Sequence, residues 1–325
     1  MAMNGATLAS MRMRYFEQVA RSQSVRRAAE TLNVSASAVN RQILMLENEL
    51  GVALFERLPR GMRTTEAGNI ILSVIRRFDQ DYAAAISEID ALRNLRRGHV
   101  SVGTLLYLSE SFVPDIITRM RKKYPNISYS AFFGTSNEIV NRVIDGRLDI
   151  GLCWAPIPSS PITRHKLHRV PLGVAALPGH PIVHKKKLRL RDLVDYPVIF
   201  PDRGTDYRNI LDQINLGAGR IISPAVETTS MNMMRRLVLS GVGVALVSRP
   251  AVINDISSGK MVLRRLDDPG IGALSLCLFT RAERALPVAV QMILQHLSTG
   301  FEALVQETPE KHAHNASTRS KKADQ

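Results

Sequence analysis

Residues 24–51, SVRRAAETLNVSASAVNRQILMLENELG, constrain the fold more than any other part of this 325-residue chain. Apolar residues recur at helical spacing on both sides of a short break that contains no glycine. Ala28, Ala29 and Leu32 form the inward face of a first helix, and Val34 fills the corner. One apolar stripe continues along a second helix: Val39, Ile43, Leu46 and Leu50. The segment is therefore predicted to form two helices that cross closely.

The ends of both helices carry capping residues. Ser24 and Ser35 are predicted to cap the two N-termini, and Gly51 is predicted to end the second helix. Two helices joined by a tight corner form a helix-turn-helix, in which the second helix enters the major groove of DNA and the first crosses the backbone.

Polar residues that face outward from this unit are predicted to contact DNA. Arg41 suits a bidentate contact with guanine, and Asn40 suits one with adenine. Hydroxyl and guanidinium groups near the helix ends suit phosphate, and the arginines of the following turn, PRGMR, suit the DNA backbone or the minor groove. The alternative for each residue is a solvated surface group. The predicted DNA-binding residues are Ser24, Arg26, Ser35, Ala36, Ser37, Asn40, Arg41, Arg60 and Arg63.

The next segment reads as one long helix. Residues 65–97 carry an uninterrupted helical pattern that RRGHV ends. Apolar residues spaced alternately by four and three positions form a heptad seam, which favours a partner helix over packing on the chain's own domain. The seam consists of Ile71, Ile75, Phe78, Tyr82, Ala85, Ile89 and Leu92. Residues 69–97 are therefore predicted to form a linker and dimerisation helix.

A set of residues in the first 70 positions carries a family resemblance. The set is Ala28–Ala29, Leu32, Val34–Ser35, Val39, Arg41–Gln42–Ile43, Leu46–Glu47, Leu50–Gly51, Leu54–Phe55, Arg57 and Thr65–Glu66–Ala67–Gly68. In these residues, and in the order of its parts, the chain resembles the LysR-type transcriptional regulators. It departs at Ala36–Ser37, where the family usually has Gln-Pro, and at Asn40, where the family usually has Ser. The operator sequence of relatives therefore does not transfer to this chain.

The resemblance implies partners as well as a fold. It implies double-stranded promoter DNA, a second copy of the chain in a dimer or tetramer, and a small-molecule effector that alters the DNA contacts. RNA polymerase is a further candidate partner. Effector identity, target genes and the choice between activation and repression are left open.

The predicted fold class is α+β multidomain. We expect a winged helix-turn-helix over residues 8–68, the linker helix over 69–97, and an effector-binding domain over 98–305. The last of these is two-lobed α/β, because strand-like runs alternate with helical ones, and it resembles periplasmic solute-binding proteins. Lobe one is expected at about 98–171 and 273–305, and lobe two at about 172–272. The polar tail over 306–325 is expected to be disordered.

Loops after the predicted strands are the expected effector site. Ligands of open α/β sheets bind beyond the carboxyl ends of the strands, near helix N-termini. Trp154, the single tryptophan, is predicted either to line the cleft or to pack under the Pro-rich loop that follows it. Arg203 is the main cation on these loops, which leaves the effector chemistry open. The predicted effector-binding residues are Tyr107, Leu108, Ser109, Thr135, Ser136, Trp154, Pro201, Gly204, Thr205 and Thr229.

The amino-acid composition excludes some classes of protein but does not locate a functional site. The net charge of +14 favours a polyanionic partner, but most of the excess lies in residues 99–305 and does not locate the site. The chain has no run of about 18 apolar residues and no apolar core of signal-peptide length at its start, so we expect a cytoplasmic protein. Cys153 and Cys277 lie in apolar, strand-like runs and are predicted to be buried thiols rather than a disulfide.

The sequence does not support a metal site or a catalytic site. The pairs His165–His168 and His180–His184 have spacings that could bind a metal, but they fall in predicted polar loops without Cys or carboxylate companions. The sequence contains no G-x-S-x-G, P-loop or nucleophile–base arrangement. We therefore expect no catalytic residues and no cofactor. The alternatives are a ligand-independent DNA-binding regulator, and an α/β solute-binding or enzymatic protein with an appended helical segment.

Overall fold

The head of the molecule consists of three helices and a hairpin. In the computed structural model these are α1 (Met11–Ser22), α2 (Val25–Leu32), α3 (Ala36–Leu50), β1 (Phe55–Leu58) and β2 (Gly61–Thr64). The structure describes residues 11–59, 61–92, 97–110, 112–155, 161–203, 208, 211–212, 222–268, 274–282 and 284–305. Arg60, the loop that carries Gly204 and Thr205, and the tail over 306–325 lie outside the described residues.

One apolar cluster holds the head together. Phe16, Ala28 and Val39 are fully buried in it and come from α1, α2 and α3. Ala28 has only a methyl side chain, which lets α3 cross close to α2, as the sequence predicted. Leu54 and Phe55 extend the cluster into the hairpin, where the rings of Phe16 and Phe55 lie 5.0 Å apart. The hairpin is thus part of the same folding unit.

A single helix, α4 (Glu66–Leu92), leaves the head. Its first turns belong to the head, because Leu72 and Ile75 are buried in the head cluster and Ile71 packs against it. This corrects the predicted seam, in which Ile71 and Ile75 were expected to face a partner helix. Helix α1 packs against this part of α4, so Ile71 and Ile75 contact the head instead of a partner helix. The large apolar side chains that α4 leaves exposed are Ile70, Val74, Phe78 and Ile89.

The rest of the chain forms two five-stranded sheets of the same design. In the first sheet, β3 (Gly98–Thr104), β4 (Ile127–Phe133) and β5 (Ile150–Trp154) are parallel. Here β12 (Leu274–Arg281) runs antiparallel to both β5 and β6 (Ile162–Val170). Three helices accompany this sheet: α5 (Phe112–Lys123), α6 (Ser136–Ile144) and α9 (Val288–Val305).

The second sheet repeats that arrangement. Its parallel strands are β8 (Val198–Pro201), β9 (Val226–Thr228) and β10 (Val244–Ser248). In this sheet β7 (Leu172–Ala176) runs antiparallel to β10 and to β11 (Val262–Arg265). The accompanying helices are α7 (Met231–Leu239) and α8 (Arg249–Ser257). The chain crosses between the sheets twice, from β6 to β7 and from β11 to β12.

Strand β6 corrects a second expectation. His165 and His168 were placed in a polar loop, but both lie on β6, which forms an edge of the first sheet. An exposed edge strand carries polar residues on much of its surface, so the apolar alternation that marks a strand is absent. His165 contacts the hydroxyl of Thr280 on β12 at 2.9 Å. Among the described residues, no group of three or more His, Cys, Asp or Glu side chains is arranged to hold a metal ion.

None of the helices within the described residues has both the length and the hydropathy needed to cross a membrane. The two cysteines are buried free thiols, as predicted. They lie opposite each other in the backbone register of two neighbouring strands, Cys153 on β5 and Cys277 on β12. Burial raises the pKa of the Cys277 thiol to about 11. These two thiols therefore serve as small packing groups of the core.

In the folded protein, Cys153 and Cys277 should resist thiol-modifying reagents at neutral pH. Burial blocks access to both, and the raised pKa of Cys277 leaves almost none of the thiolate that reacts. Mass spectrometry after timed labelling, with and without urea, measures the modified fraction. Labelling of either cysteine as fast in buffer as in urea would contradict the packing role.

Candidate functional site

Helix α3 is held at both ends and along one face. The Ser35 hydroxyl caps its N-terminus by accepting a hydrogen bond from the Ala38 N–H at 3.2 Å. Gly51 ends the helix in the left-handed conformation, with φ of 70°. The Ser24 hydroxyl likewise caps α2, by accepting from the Arg27 N–H at 3.3 Å. All three predicted caps are thus confirmed.

The corner between α2 and α3 depends on a residue that sequence reasoning missed. Asn33 ends α2 with φ of 54°, and its N–H donates to the carbonyls of Ala29 and Glu30. Asparagine tolerates this left-handed conformation better than most residues do. The signal was available in the sequence, because Asn is the usual substitute for Gly at such a helix end.

The outward face of α3 carries most of the predicted DNA-binding residues. Ser35, Ala36, Ser37 and Arg41 are exposed, while Asn40 is half-buried. The hydroxyls of Ser35 and Ser37 lie 3.0 Å apart. Within the described part of the chain, the Arg41 side chain makes no hydrogen bond or ion pair. Its guanidinium is therefore available to an outside partner. Two apolar residues that were not predicted, Leu44 and Met45, are also exposed on α3, at 42% and 41%.

The hairpin is tied to α3 by side-chain contacts. Arg57 on β1 donates to the Asn40 side-chain oxygen at 3.0 Å. At the start of β1, the Glu47 carboxylate accepts from the N–H groups of Leu54 and Phe55, at 2.7 and 3.1 Å. The geometry of α3 therefore determines where the hairpin begins.

The remaining head residues of the prediction lie at the edges of this surface. Arg63 is on β2 rather than at the hairpin tip, and it donates to Glu56 on the opposite strand at 2.6 Å. Ser24 is half-buried at the start of α2. The Arg26 side chain is 88% exposed and lies 3.5 Å from Glu30. Exposed pairs of this kind are weak, so both arginines can exchange their carboxylate partners for phosphate.

A cavity of about 300 Å³ lies between the two sheets, beyond the carboxyl ends of their parallel strands. Five of the predicted effector residues line it: Tyr107, Thr135, Trp154, Pro201 and Thr229. Trp154 is thus at the cleft, and its ring lies 6.3 Å from that of Tyr107. Gly134, in the predicted loop after β4, also lines the cavity. Residues that sequence reasoning missed complete the wall: Leu105, Leu106, Phe133, Glu138, Thr228, Met231 and Met234.

The other predicted effector residues are placed elsewhere. Leu108 is fully buried in the core, because the chain after β3 forms a 3₁₀ turn over Leu106–Ser109 that directs this side chain inward. Ser136 is buried in the first turn of α6 and does not line the cavity. For Ser109 only the backbone is described, and Gly204 and Thr205 fall outside the described residues. The missed residues on α7 follow β9 directly, so the strand-end rule extended by one helical turn would have found Met231.

Glu138 is the one charged residue among the described residues that line the cavity. Its carboxylate accepts from the Thr135 N–H at 2.8 Å and from the Thr135 hydroxyl at 3.0 Å. The Glu138 N–H in turn donates to the Thr135 hydroxyl at 3.3 Å, which completes a capping box at the start of α6. The backbone hydrogen bond from Thr135 lowers the pKa of Glu138. The exposed Glu138 carboxylate is therefore a solvated negative charge among the residues that line the cavity.

A polar contact joins the lobes beside the cavity. Glu110, next to the 3₁₀ turn of lobe one, accepts from the side chains of Asn232 and Arg235 on α7 of lobe two. Arg235 also donates to Asp255 at 2.7 Å. Glu110 and Arg235, 3.2 Å apart, thus form an ion pair between the two lobes.

The far end of α6 touches the linker helix. The Gln80 amide on α4 donates to the Gly146 carbonyl at 2.7 Å, just past the C-terminus of α6. Gly146 has φ of 71°, and a Cβ there would lie 2.9 Å from the Gln80 side-chain oxygen. Burial lowers the pKa of Arg76 on α4, Arg147 lowers it further, and Glu17 and Asp145 act in the opposite direction. Head, linker and lobe one thus meet at this junction.

Two family models match the chain. The model described as bacterial regulatory helix-turn-helix protein, lysR family, matches residues 11–69. The model described as LysR substrate binding domain matches residues 93–302. A curated relative, the uncharacterized HTH-type transcriptional regulator YybE of Bacillus subtilis, is 30% identical over 235 residues, which cover 72% of this chain and 80% of the relative.

Solved structures share the whole architecture. A full-length OxyR variant from Pseudomonas aeruginosa aligns with a TM-score of 0.65 and 20% identity, covering 88% of this chain and 96% of that one. Full-length CbnR in complex with its target DNA aligns with a TM-score of 0.58 and 20% identity, covering 89% and 98%. The predicted fold class, a winged helix-turn-helix followed by a linker and a two-lobed α/β domain, is confirmed.

Proposed function

Because the chain belongs to the LysR family of transcriptional regulators, we propose that it binds promoter DNA through α3 and the β1–β2 hairpin. The observation that carries the proposal is the division of α3 into two faces. Val39, Ile43 and Leu46 are buried, while Ser37 and Arg41 face solvent. The similarity to CbnR, whose structure was solved with its target DNA, supports the same role for this head.

Within this surface we assign base contact to the exposed part of α3 and backbone contact to its edges. Arg41 is the base-reading candidate, because its guanidinium is exposed and can bind guanine in a bidentate manner. Asn40 reads adenine less freely, since its side-chain oxygen already accepts from Arg57. Leu44 and Met45 suit apolar contact with thymine methyl groups. Ser24, Arg26 and Arg63 contact phosphate from the edges, and the same role is proposed for Arg60 from the sequence.

We propose that two copies of the chain pair along α4. Ile70, Val74, Phe78 and Ile89 are 43–60% exposed and form one row at helical spacing. A second copy of the same helix is the occupant that a self-complementary apolar row fits, and it supplies the paired heads that a two-fold-symmetric DNA site requires. Tetramers built from such dimers, and RNA polymerase as a further partner at the promoter, follow from the family role. The cytoplasm is the compartment where such a regulator meets its promoter.

Helix α6 connects the cavity to the head in this proposal. Its first turn presents Thr135 and Glu138 to the cavity, and its last turn leads to Gly146, which accepts from Gln80 on α4. The nine residues of α6 span about 14 Å as a rigid rod. Ile139, Val140 and Val143 anchor the rod in the core. A small-molecule effector that shifts the first turn of α6 therefore shifts α4, and with it the spacing of the paired heads.

Replacing Arg41 by Ala should relax base preference at one position of the DNA site by about 1–3 kcal/mol, because a bidentate guanine contact is lost. Sites selected by the parent protein from randomised duplexes, and then varied base by base, provide the series to measure. Arg26→Ala is the matched comparison. It should weaken binding to all duplexes alike and reduce the salt slope by about 1, as expected for a phosphate contact. Unchanged discrimination after Arg41→Ala would remove Arg41 from the base-reading residues.

Replacing Phe78 by Glu should convert the dimer to monomer, because it places a charge in the centre of the apolar row. Sedimentation equilibrium measures the state, and affinity for a two-fold-symmetric duplex should fall in parallel. Ala83→Glu introduces the same charge at an exposed position on another face of α4 and should leave the dimer intact. A Phe78→Glu protein that sediments as a dimer rules out this row as the interface.

Replacing Gln80 by Ala should uncouple the cavity from DNA binding, because the bond to Gly146 joins α6 to α4. A metabolite that raises Tm in a thermal-shift screen serves as effector. Its affinity, followed by Trp154 fluorescence, should be unchanged, while its effect on DNA affinity should shrink. Gln291→Ala is the matched control, since it removes an amide–carbonyl bond of the same length, 2.7 Å, to Leu286 within lobe one. Equal effector responses in the two variants would show that α6 does not carry the coupling.

A further inference from the structure

The cavity has an unusual distribution of charge for a cleft at the ends of parallel strands. Among its described lining residues none is basic, and Glu138 is the single charge. The nearest cation on α6, Arg142, stacks over the ring of Phe132 at 3.9 Å. Arg203 is exposed two residues beyond Pro201 and is not part of the wall. An anion entering the cavity therefore meets a carboxylate and no cation of the described wall.

The start of α6 is already supplied with a carboxylate. Helix N-termini attract anions because their first N–H groups lack partners within the helix. Here the N–H groups of Thr135 and Glu138 are both engaged in the capping box. The chain's own Glu138 thus occupies part of the site that an anionic ligand would take at this helix.

The hydrogen-bonding groups at this end of the cavity mostly accept. The Thr135 hydroxyl proton is donated to Glu138, so the hydroxyl offers a ligand only an oxygen lone pair. The Glu138 carboxylate is acceptor-only while it is ionised, and the hydrogen bond from the Thr135 backbone lowers its pKa. A ligand group that donates hydrogen bonds and carries a positive charge complements both residues.

The opposite walls are aromatic and apolar. Tyr107, Phe133 and Trp154 come from the three strand ends of lobe one, and Met231 and Met234 come from α7 of lobe two. Aromatic faces attract cations, and methionine sulfur adapts to flat apolar groups. The volume of about 300 Å³ limits the ligand to a small molecule.

We propose that the effector of this cleft is a small amine, protonated at neutral pH, whose ammonium group binds Glu138 and Thr135 while an apolar body fills the space among Tyr107, Trp154 and Met234. The assignment rests on the proposed function, because it names the ligand class of the same cleft. It predicts that carboxylates and phosphates bind this cleft more weakly than amines do.

Three probes of one shape test the charge preference on the full-length protein: 3-phenylpropylamine, 3-phenylpropan-1-ol and 3-phenylpropanoate. Binding is followed by the fluorescence of Trp154, the single tryptophan, and by Tm. The amine should bind severalfold more tightly than the alcohol, because its hydrogen bond to the ionised carboxylate is also an ion pair. The carboxylate should bind most weakly of the three.

Glu138→Gln should abolish the difference between amine and alcohol, because both groups then meet a neutral amide in place of a carboxylate. Gln keeps the capping box, since its side-chain oxygen can accept the same bonds from Thr135, so the variant retains the fold of α6. Glu302→Gln removes a carboxylate that pairs with Lys166 and does not line the cavity, and it should leave the order of the three probes as in the parent.

Three results overturn the proposal. The first is a carboxylate probe that binds as tightly as the amine. The second is an amine preference that survives Glu138→Gln. Failure of all three probes to bind also overturns it, while selection of a duplex site by the same protein would leave the proposed DNA-binding function standing. A protein that selects no duplex site would instead refute the proposed function, whichever probe it binds.

Discussion

The effector half depends on a constraint of chain direction. The chain passes between the two sheets only through β6 to β7 and through β11 to β12, and in each sheet these strands run beside the parallel set. Parallel strands end at one edge of their sheet, and the paired crossings turn those edges toward each other. The cavity forms where the edges meet, with lining residues from the ends of β4, β5, β8 and β9. Its position is thus a property of the topology, and only its chemistry depends on individual side chains.

The same topology gives α6 its position between the cavity and the linker. A helix that follows a parallel strand starts at the carboxyl edge and returns toward the opposite edge. Helix α6 therefore begins at the cavity with Thr135 and ends beside α4, where Gly146 accepts from Gln80. Two further contacts fix α4 to lobe one, because the Val288 N–H donates to the Ser87 hydroxyl at 3.2 Å and Arg281 on β12 donates to the Asp81 carboxylate at 3.5 Å. The linker is consequently packed on the head at one end and on lobe one along the other.

Short sequence patterns predicted the structure of the head well. Predictions for the effector cleft were limited, because its lining also depends on long-range packing. The stripe of Val39, Ile43 and Leu46 is determined by helical period alone, and so is the outward position of Arg41, which is why both were read from the sequence. Leu50 was predicted on the same stripe, but at the end of α3 it is 41% exposed. The strand-end rule located Tyr107, Thr135 and Trp154 because it depends only on strand direction. It misplaced Leu108, whose direction is set by a 3₁₀ turn that no period reveals. It also missed Met231 and Met234, because their presence in the wall depends on how lobe two approaches lobe one.

The linker helix shows why a heptad pattern alone does not identify the surface against which its apolar residues pack. Its apolar positions serve two surfaces in turn, since Ile75 is buried in the head while Phe78, three residues later, is 43% exposed. The residues that contact lobe one, Gln80 and Ser87, lie on the face of α4 opposite the exposed row, as the helical period requires. Pairing with a second copy and docking on lobe one therefore do not compete for the same face. In the proposed dimer, where a second copy holds the exposed row, α4 responds to α6 by turning or tilting against that copy. Such a motion changes the distance between two heads far more than it changes either head, which suits control of DNA binding by spacing rather than by loss of the recognition surface.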